Sequence, residues 1–425
     1  MDMESLPQIV VAGIPVDRPE PEIHVLAAIQ DMDRIYASQR LQTGLANISP
    51  RLAARAQPLR LPLSSLFAEM DELRRAGKKV AILADGDPLF FGIGATLARE
   101  MGRDAIRVLP AVTSLQAACA RLKLAWHDML CISLHGRDNW QPLFAAVGKG
   151  RPLCVLTDAR ATPARIAREL IERGCGHFVA HVFSRMGARD EKVQHADLAV
   201  LAQATEAHEC FASDTTLILV PMDGAKGGAP CFGLDGKEAQ LAGPYHSQAA
   251  VRATALHLLQ VAHTHTVWDI GAGTGAVALE ACALAREGQV VAVECSDSRV
   301  QHLHSNRKKF AAATLEIVHG RVPDCLDALP APDRVFVGGG LAGDAAEDIL
   351  SQIVRRLPVG GRMVIACVLL QTLTRCRDVL DKLGLRMEMV QVQASATEPL
   401  ANDVHFVAQN PVFLLAGTKN DGPAA

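Results

Sequence analysis

The stretch Asp269-Ile270-Gly271-Ala272-Gly273-Thr274-Gly275-Ala276 prescribes chemistry through its residue types and spacing. An apolar run from Thr266 to Ile270 leads into it, and the helix-like segment Val277 to Leu284 follows. A strand, a glycine turn and a helix bring backbone close to a ligand where side chains would block it, with helix N-terminal N–H groups aimed at the same place. A nucleotide-like ligand suits that arrangement. Gly271, Gly273 and Ala276 also satisfy the dinucleotide fingerprint, so an NAD-dependent oxidoreductase is one reading. Asp269 favours another. A carboxylate there repels a pyrophosphate but pairs with a cationic amino-acid portion, as in S-adenosylmethionine. Glu294 ends the next apolar run, about twenty residues on, where a carboxylate can accept both ribose hydroxyls. Further along, Gly320 and Arg321 follow the strand-like Leu315 to Val318 and read either as an ordinary turn or as a candidate cofactor contact.

A second group of loops lies in the first half. Gly86-Asp87-Pro88-Leu89-Phe90-Phe91-Gly92 follows a strand-like run, and Pro110-Ala111-Val112-Thr113-Ser114 and Leu134-His135-Gly136-Arg137 follow two more. Loops at the carboxyl ends of strands are where α/β proteins build sites. Two histidine pairs, His263 with His265 and His302 with His304, lack further ligands at suitable spacing, so no metal site is expected.

The elements that must position these loops alternate. Short apolar or β-branched runs (Lys79 to Leu83, Ala105 to Leu109, Leu153 to Leu156, Phe178 to Phe183) alternate with helical stretches, and the pattern resumes with Thr266 to Ile270, Gln289 to Val293, Asp333 to Val337 and Arg362 to Val368. This is the pattern of an α/β protein with parallel sheets. Met387 to Gln393 and Pro411 to Gly417 read as two closing strands. The Gly- and Pro-rich Pro221 to Pro230 marks a boundary, giving domains at 1–222 and 244–425 with a linker at 223–243. At 425 residues the chain has material for more than one core. The tail from Lys419 onward is expected to fray.

Composition excludes several classes. Lys plus Arg number 43 against 46 Asp plus Glu, so the basic excess of a nucleic-acid or anionic-membrane binder is lacking. Aromatics at 4% argue against a base-stacking surface. The 11 cysteines form no C-x-x-C pair, which suits a reducing cytoplasm. No apolar stretch approaches the ~20 residues of a membrane span, and the acidic start does not read as a signal peptide.

The first-half loops resemble those of the tetrapyrrole methylases of corrin biosynthesis, in the branch that methylates C5 of precorrin-6Y or its cobalt counterpart. The later loops, with Val335-Phe336-Val337-Gly338-Gly339 and Asn410-Pro411-Val412-Phe413, resemble the companion class I methyltransferase domain. Both domains in this order are similar to the fused precorrin-6Y C5,15-methyltransferases (decarboxylating) of cobalamin synthesis. The resemblance implies a tetrapyrrole-methylase-type domain followed by a Rossmann-like methyltransferase domain. It implies two S-adenosylmethionine sites: Gly86, Asp87, Thr113 and Ser114 in the first, and Asp269, Gly271, Gly273, Gly275 and Glu294 in the second. The first domain would methylate C5; the second would methylate C15 and decarboxylate the C12 acetate.

Methyl transfer from a sulfonium to an enamine-like carbon is an in-line displacement that needs no enzyme nucleophile. The implied tetrapyrrole carries several carboxylates, for which arginine forks are the expected partners: Arg252, Arg137 and Arg185. Cobalt, where present, arrives within the substrate. A homo-oligomer is expected. Where the family shows a glycine-rich turn after its first strand, this chain has Gly13-Ile14-Pro15-Val16-Asp17, and proline fixes φ and removes an N–H. Pro15 therefore keeps open an alternative in which only the C-terminal domain is catalytic and the first is a binding or delivery module.

Overall fold

The computed structural model describes residues 8–60, 62–204, 215–222, 230–234, 248–341, 343 and 345–420. Most of the expected linker, 223–243, lies outside these residues. The chain gathers into two compact units: Met1–Arg137 with Pro152–Arg165 and Val179–Val220, and Asp138–Arg151 with Ile166–Phe178 and Pro221–Ala425.

The first unit begins with a parallel sheet of β1 (Ile9–Ile14), β2 (Arg34–Ala37), β3 (Ala56–Pro58), β4 (Val80–Asp85) and β5 (Ile106–Leu109), in the order β3-β2-β4-β1-β5. Every residue of β1 is buried, as a parallel strand covered on both faces requires. Val10, Ala12 and Ile14 join one apolar cluster with Ala81 and Leu83, while Ile9 and Val11 join another with Val80 and Ile82. The period of two thus feeds two cores. A second, mixed sheet holds β6 (Leu130–Ser133), β7 (Leu153–Leu156), β8 (Phe178–Ser184), β9 (Lys192–Asp197) and β10 (Thr216–Pro221), in the order β6-β7-β10-β8-β9. There β7 pairs antiparallel with β10, and β8 with β9.

The second unit is built on a seven-stranded sheet: β11 (Thr266–Ile270), β12 (Gln289–Glu294), β13 (Leu315–His319), β14 (Arg334–Val337), β15 (Arg362–Cys367), β16 (Arg386–Val392) and β19 (Val412–Thr418). Their order is β13-β12-β11-β14-β15-β19-β16. The first five strands run parallel, and β19 inserts antiparallel between β15 and β16. Alternate residues again serve opposite faces: Trp268, Val291, Val335 and Met363 pack on one side, Val267, Val290, Phe336 and Val364 on the other. The strand order reverses direction beside β11, and a crevice opens there at the carboxyl ends.

Two features depart from expectation. The closing strands are joined by a further hairpin, β17 (Ser395–Leu400) with β18 (Asp403–Ala408), which the sequence does not announce. And Lys419 is anchored: its Nζ donates to the carbonyls of Val354 and Leu357 at 2.9 and 2.7 Å, at the end of the helix Ala346–Arg356. A cation at a helix C-terminus satisfies carbonyls that have no partner within the helix. The expected fraying is corrected at Lys419, and residues 421–425 lie outside the described ones.

Candidate functional site

A cavity of about 340 Å³ opens at the carboxyl ends of β11, β12 and β14. Asp269, Gly271, Gly273, Glu294, Gly320 and Arg321 all line it, so residues spread over fifty positions of sequence meet as the glycine loop predicts. Gly271 has φ +70°, and a Cβ there would stand 3.0 Å from the backbone of Gly339. Gly273 has φ +60° and nothing within 4 Å of its would-be Cβ, because that space is the cavity. Gly275 has a different part. It caps the helix Ala276–Leu284 at φ +89°, packs against Leu303 and is not among the lining residues.

Glu294 is buried, and its carboxylate organises the loops around it. Oε2 accepts from the N–H of Gly273 at 2.9 Å, and Oε1 accepts from those of Cys295 and Ser296 at 2.9 and 3.0 Å. Asp269 is fully buried; Oδ2 accepts from the N–H of Ala278 at 2.9 Å and Oδ1 has no partner. Desolvation pushes its carboxyl up to about 7; the Ala278 N–H opposes this and the Glu294 charge adds to it. A buried acceptor without a donor, facing a cavity, fits a ligand that brings a cation.

The sequence reading missed three parts of this site. Gly338 holds the loop edge by donating to the carbonyl of Ile270 at 2.9 Å, and Gly340 lines the cavity beside it. The buried Asn306 donates from Nδ2 to the carbonyl of Thr274 at 2.9 Å. The glycines after β14 were a visible signal; Asn306, near the end of the helix Asp297–Lys309, offered none.

A second cavity, of about 590 Å³, lies at the carboxyl ends of β1 and β4 in the first unit. Asp87 and Thr113 line it, whereas Gly86 and Ser114 do not. Asp87 ties two loops together: Oδ1 accepts from the N–H of Leu89 at 2.8 Å and Oδ2 from that of Ala111 at 3.3 Å. Thr113 caps the helix Ser114–Leu122 in a reciprocal box with Gln116. Gly86, at φ +76°, donates to the carbonyl of Ile14 at 2.7 Å and so shapes the floor rather than the lining. Gly13, not singled out for the site, also lines it, and a Cβ there would lie 2.7 Å from both Ala111 and the carbonyl of Gly86, so only glycine lets these loops close together. Pro15 lines the mouth; its carbonyl accepts from Arg18 in a turn, and the cavity persists without a glycine-rich loop.

The three arginines separate. Arg252 is 1% exposed; its Nε donates to Glu280 at 2.8 Å and its Nη2 to the carbonyl of Leu234 at 2.7 Å. The expectation that it meets a substrate carboxylate is corrected, since the guanidinium is enclosed and already paired. Arg185 is exposed, bridges Asp190 and lines neither cavity. Arg137 is exposed and stacks over Phe91 at 5.5 Å, and Phe91 meets the cavity-lining Phe90 edge-on. It is the one of the three near a candidate site. Among the described residues no group of three or more His, Cys, Asp or Glu could hold a metal, and no helix is long and apolar enough to cross a membrane.

Comparison with known proteins matches residues 13–202 to the family of tetrapyrrole (corrin/porphyrin) methylases and residues 244–419 to the precorrin methyltransferase domain. A precorrin-6Y C(5,15)-methyltransferase [decarboxylating] of Sinorhizobium sp is 29% identical over 365 residues, 84% of each chain. A cobalt-precorrin-6B C(15)-methyltransferase (decarboxylating) of Salmonella typhimurium is 33% identical over 176 residues, 41% of this chain and 90% of the relative. A cobalt-precorrin-7 C(5)-methyltransferase of the same organism is 35% identical over 119 residues, 28% of this chain and 58% of the relative. These matches and the antiparallel β19 overturn the NAD-dependent reading drawn from Ala276. The chain, with a tetrapyrrole methylase domain followed by a class I methyltransferase domain, belongs to the precorrin-6Y C5,15-methyltransferase (decarboxylating) family.

Proposed function

We propose that each of the two cavities binds one S-adenosylmethionine, the first serving methylation of C5 of a precorrin and the second methylation of C15 with decarboxylation of the C12 acetate. The observation that carries this is the pair of cavities, each at the carboxyl ends of parallel strands, the first lined by Gly13, Asp87 and Thr113 and the second by Asp269, Glu294 and a run of glycines with open space over Gly273. The domains of this reading are 1–222 and 244–425, joined at 223–243.

The residues of the second cavity fit the cofactor. Asp269 Oδ1 is free to meet its ammonium, the space over Gly273 is open, and Glu294 fixes the loop while facing the cavity. When bound, the cofactor supplies an electrophilic methyl group on sulfur. The chain's part is to hold sulfur, methyl and ring carbon in line and to keep water from the acetate carboxylate while carbon dioxide leaves. No side-chain nucleophile is required.

A second copy of the chain is the partner we assign to the hairpin β17–β18, where Leu400, Val404 and Phe406 are exposed on one short ribbon. Apolar side chains gathered on an outlying hairpin favour burial against another surface. Nucleic acid and membranes are not partners in this reading. The described cysteines are free thiols, which suits work in the cytoplasm.

Calorimetry with S-adenosylhomocysteine tests the two-site reading. Two equivalents per chain are expected. One equivalent, unchanged by Asp87→Ala, would leave the C-terminal domain as the only catalytic one and make the first a delivery module.

A further inference from the structure

The first cavity carries an imidazole at its lining. Glu22 and His24 stand at the start of the helix Ile23–Ile29, and both side chains line the cavity alongside Asp87 and Trp126. His24 Nδ1 faces Glu22 Oε2 at 3.5 Å, and Glu22 Oε1 accepts from Arg18 Nη2 at 3.2 Å. The other polar groups of the cavity are committed. Both Asp87 oxygens accept backbone N–H groups, and Thr113 and Gln116 satisfy each other. Among the described lining residues His24 is the one imidazole, and with Nδ1 turned to a carboxylate its Nε2 is the nitrogen left to act.

Resting on the reading that this cavity methylates C5, we propose that His24, oriented by Glu22, is the proton acceptor of that methylation. The bookkeeping of the step demands one. The methyl–sulfur bond breaks with its electron pair returning to sulfur, which becomes a neutral thioether. The new carbon–carbon bond takes an enamine pair from the ring, which becomes cationic. The bridging carbon carries a hydrogen; when that proton passes to His24 Nε2, the C–H pair returns to the ring and restores conjugation. The imidazolium so formed faces Glu22, whose charge stabilises it and is itself fixed by Arg18. This arrangement of base and orienting carboxylate needs no cofactor-derived base.

The second domain supplies an internal control within the same chain. Full-length His24→Ala is expected to slow appearance of the C5 methyl about a hundredfold, the usual scale of a lost general base. C15 methylation, carbon dioxide release and the count of bound S-adenosylhomocysteine are expected to stay at wild-type values. Added imidazole should restore part of the C5 rate, because the vacated side chain leaves room in a cavity of about 590 Å³. Glu22→Gln should lower the same rate less, without rescue. A wild-type C5 rate in His24→Ala, or a loss that imidazole does not relieve, overturns the assignment. Loss of one cofactor equivalent in His24→Ala makes it a binding residue and also overturns it. If wild-type protein makes no C5-methylated product, the proposed function of the first cavity fails and the inference fails with it.

Discussion

Glu294 Oε2 lies 2.9 Å from the backbone nitrogen of Gly273, so the carboxylate at the end of β12 holds the glycine turn after β11 in place. The same side chain takes the N–H groups of Cys295 and Ser296, joining two loops of the cavity through one buried charge. It therefore shapes the loop and lines the cavity at once.

Glu294→Ala is accordingly expected to weaken S-adenosylhomocysteine binding at the second site by about 1–3 kcal/mol and to lower the unfolding temperature as well, because three N–H donors lose their acceptor. Calorimetry and thermal unfolding measured on the same sample check this. Weaker binding with unchanged stability would mean that the loop does not depend on the carboxylate.

Gly273→Val should abolish C15 methylation and carbon dioxide release together while C5 methylation continues. The would-be Cβ points into the cavity and the residue sits at φ +60°, so valine both fills the cofactor space and strains the turn. Product mass reads the outcome. Normal loss of carbon dioxide in this variant would place decarboxylation elsewhere.

Cofactor binding at the second site should release a proton below pH 7 and almost none well above it. The Asp269 carboxyl titrates near 7 when the cavity is free, chiefly through desolvation. Below that pH it holds a proton; an arriving ammonium favours the ionised form and expels it, whereas above that pH the group is already charged. Calorimetry in buffers of different ionisation enthalpy measures the release, and Asp269→Asn should eliminate it. Equal release on both sides of pH 7 would detach Asp269 from the ligand.

Arg252→Ala should destabilise the protein by about 3–5 kcal/mol by leaving Glu280 buried without its partner, while Arg252→Met with Glu280→Leu should recover most of the loss. Thermal unfolding of both variants checks this. A stable Arg252→Ala with a raised substrate KM would return Arg252 to the substrate.

The sequence made legible whatever is contiguous. A strand, a glycine turn and a helix lie side by side in Thr266 to Leu284, so the loop, Asp269 and the strand ends could be read with little error in their bounds. The same holds for Asp87 and Thr113, each next to a strand end. Groups that meet only through folding were not legible. Arg252 looked like a surface fork because Glu280 and Leu234 close on it from distant positions. Ser114 was read with its neighbour Thr113, but the helix cap turns it away from the cavity lining. Hairpin β17–β18 is exposed along nearly all of its length, and Pro399 interrupts its first strand, so no run of core-forming residues marks it as paired strands.

The most direct test of the central claim is the mass of the product made by the full-length chain from precorrin-6Y and S-adenosylmethionine. The two-site account predicts a product with two added methyl groups that has lost one carbon dioxide, formed with both cofactor equivalents bound. A product carrying a single new methyl group, or one that keeps the acetate carboxyl after both methylations, would contradict it.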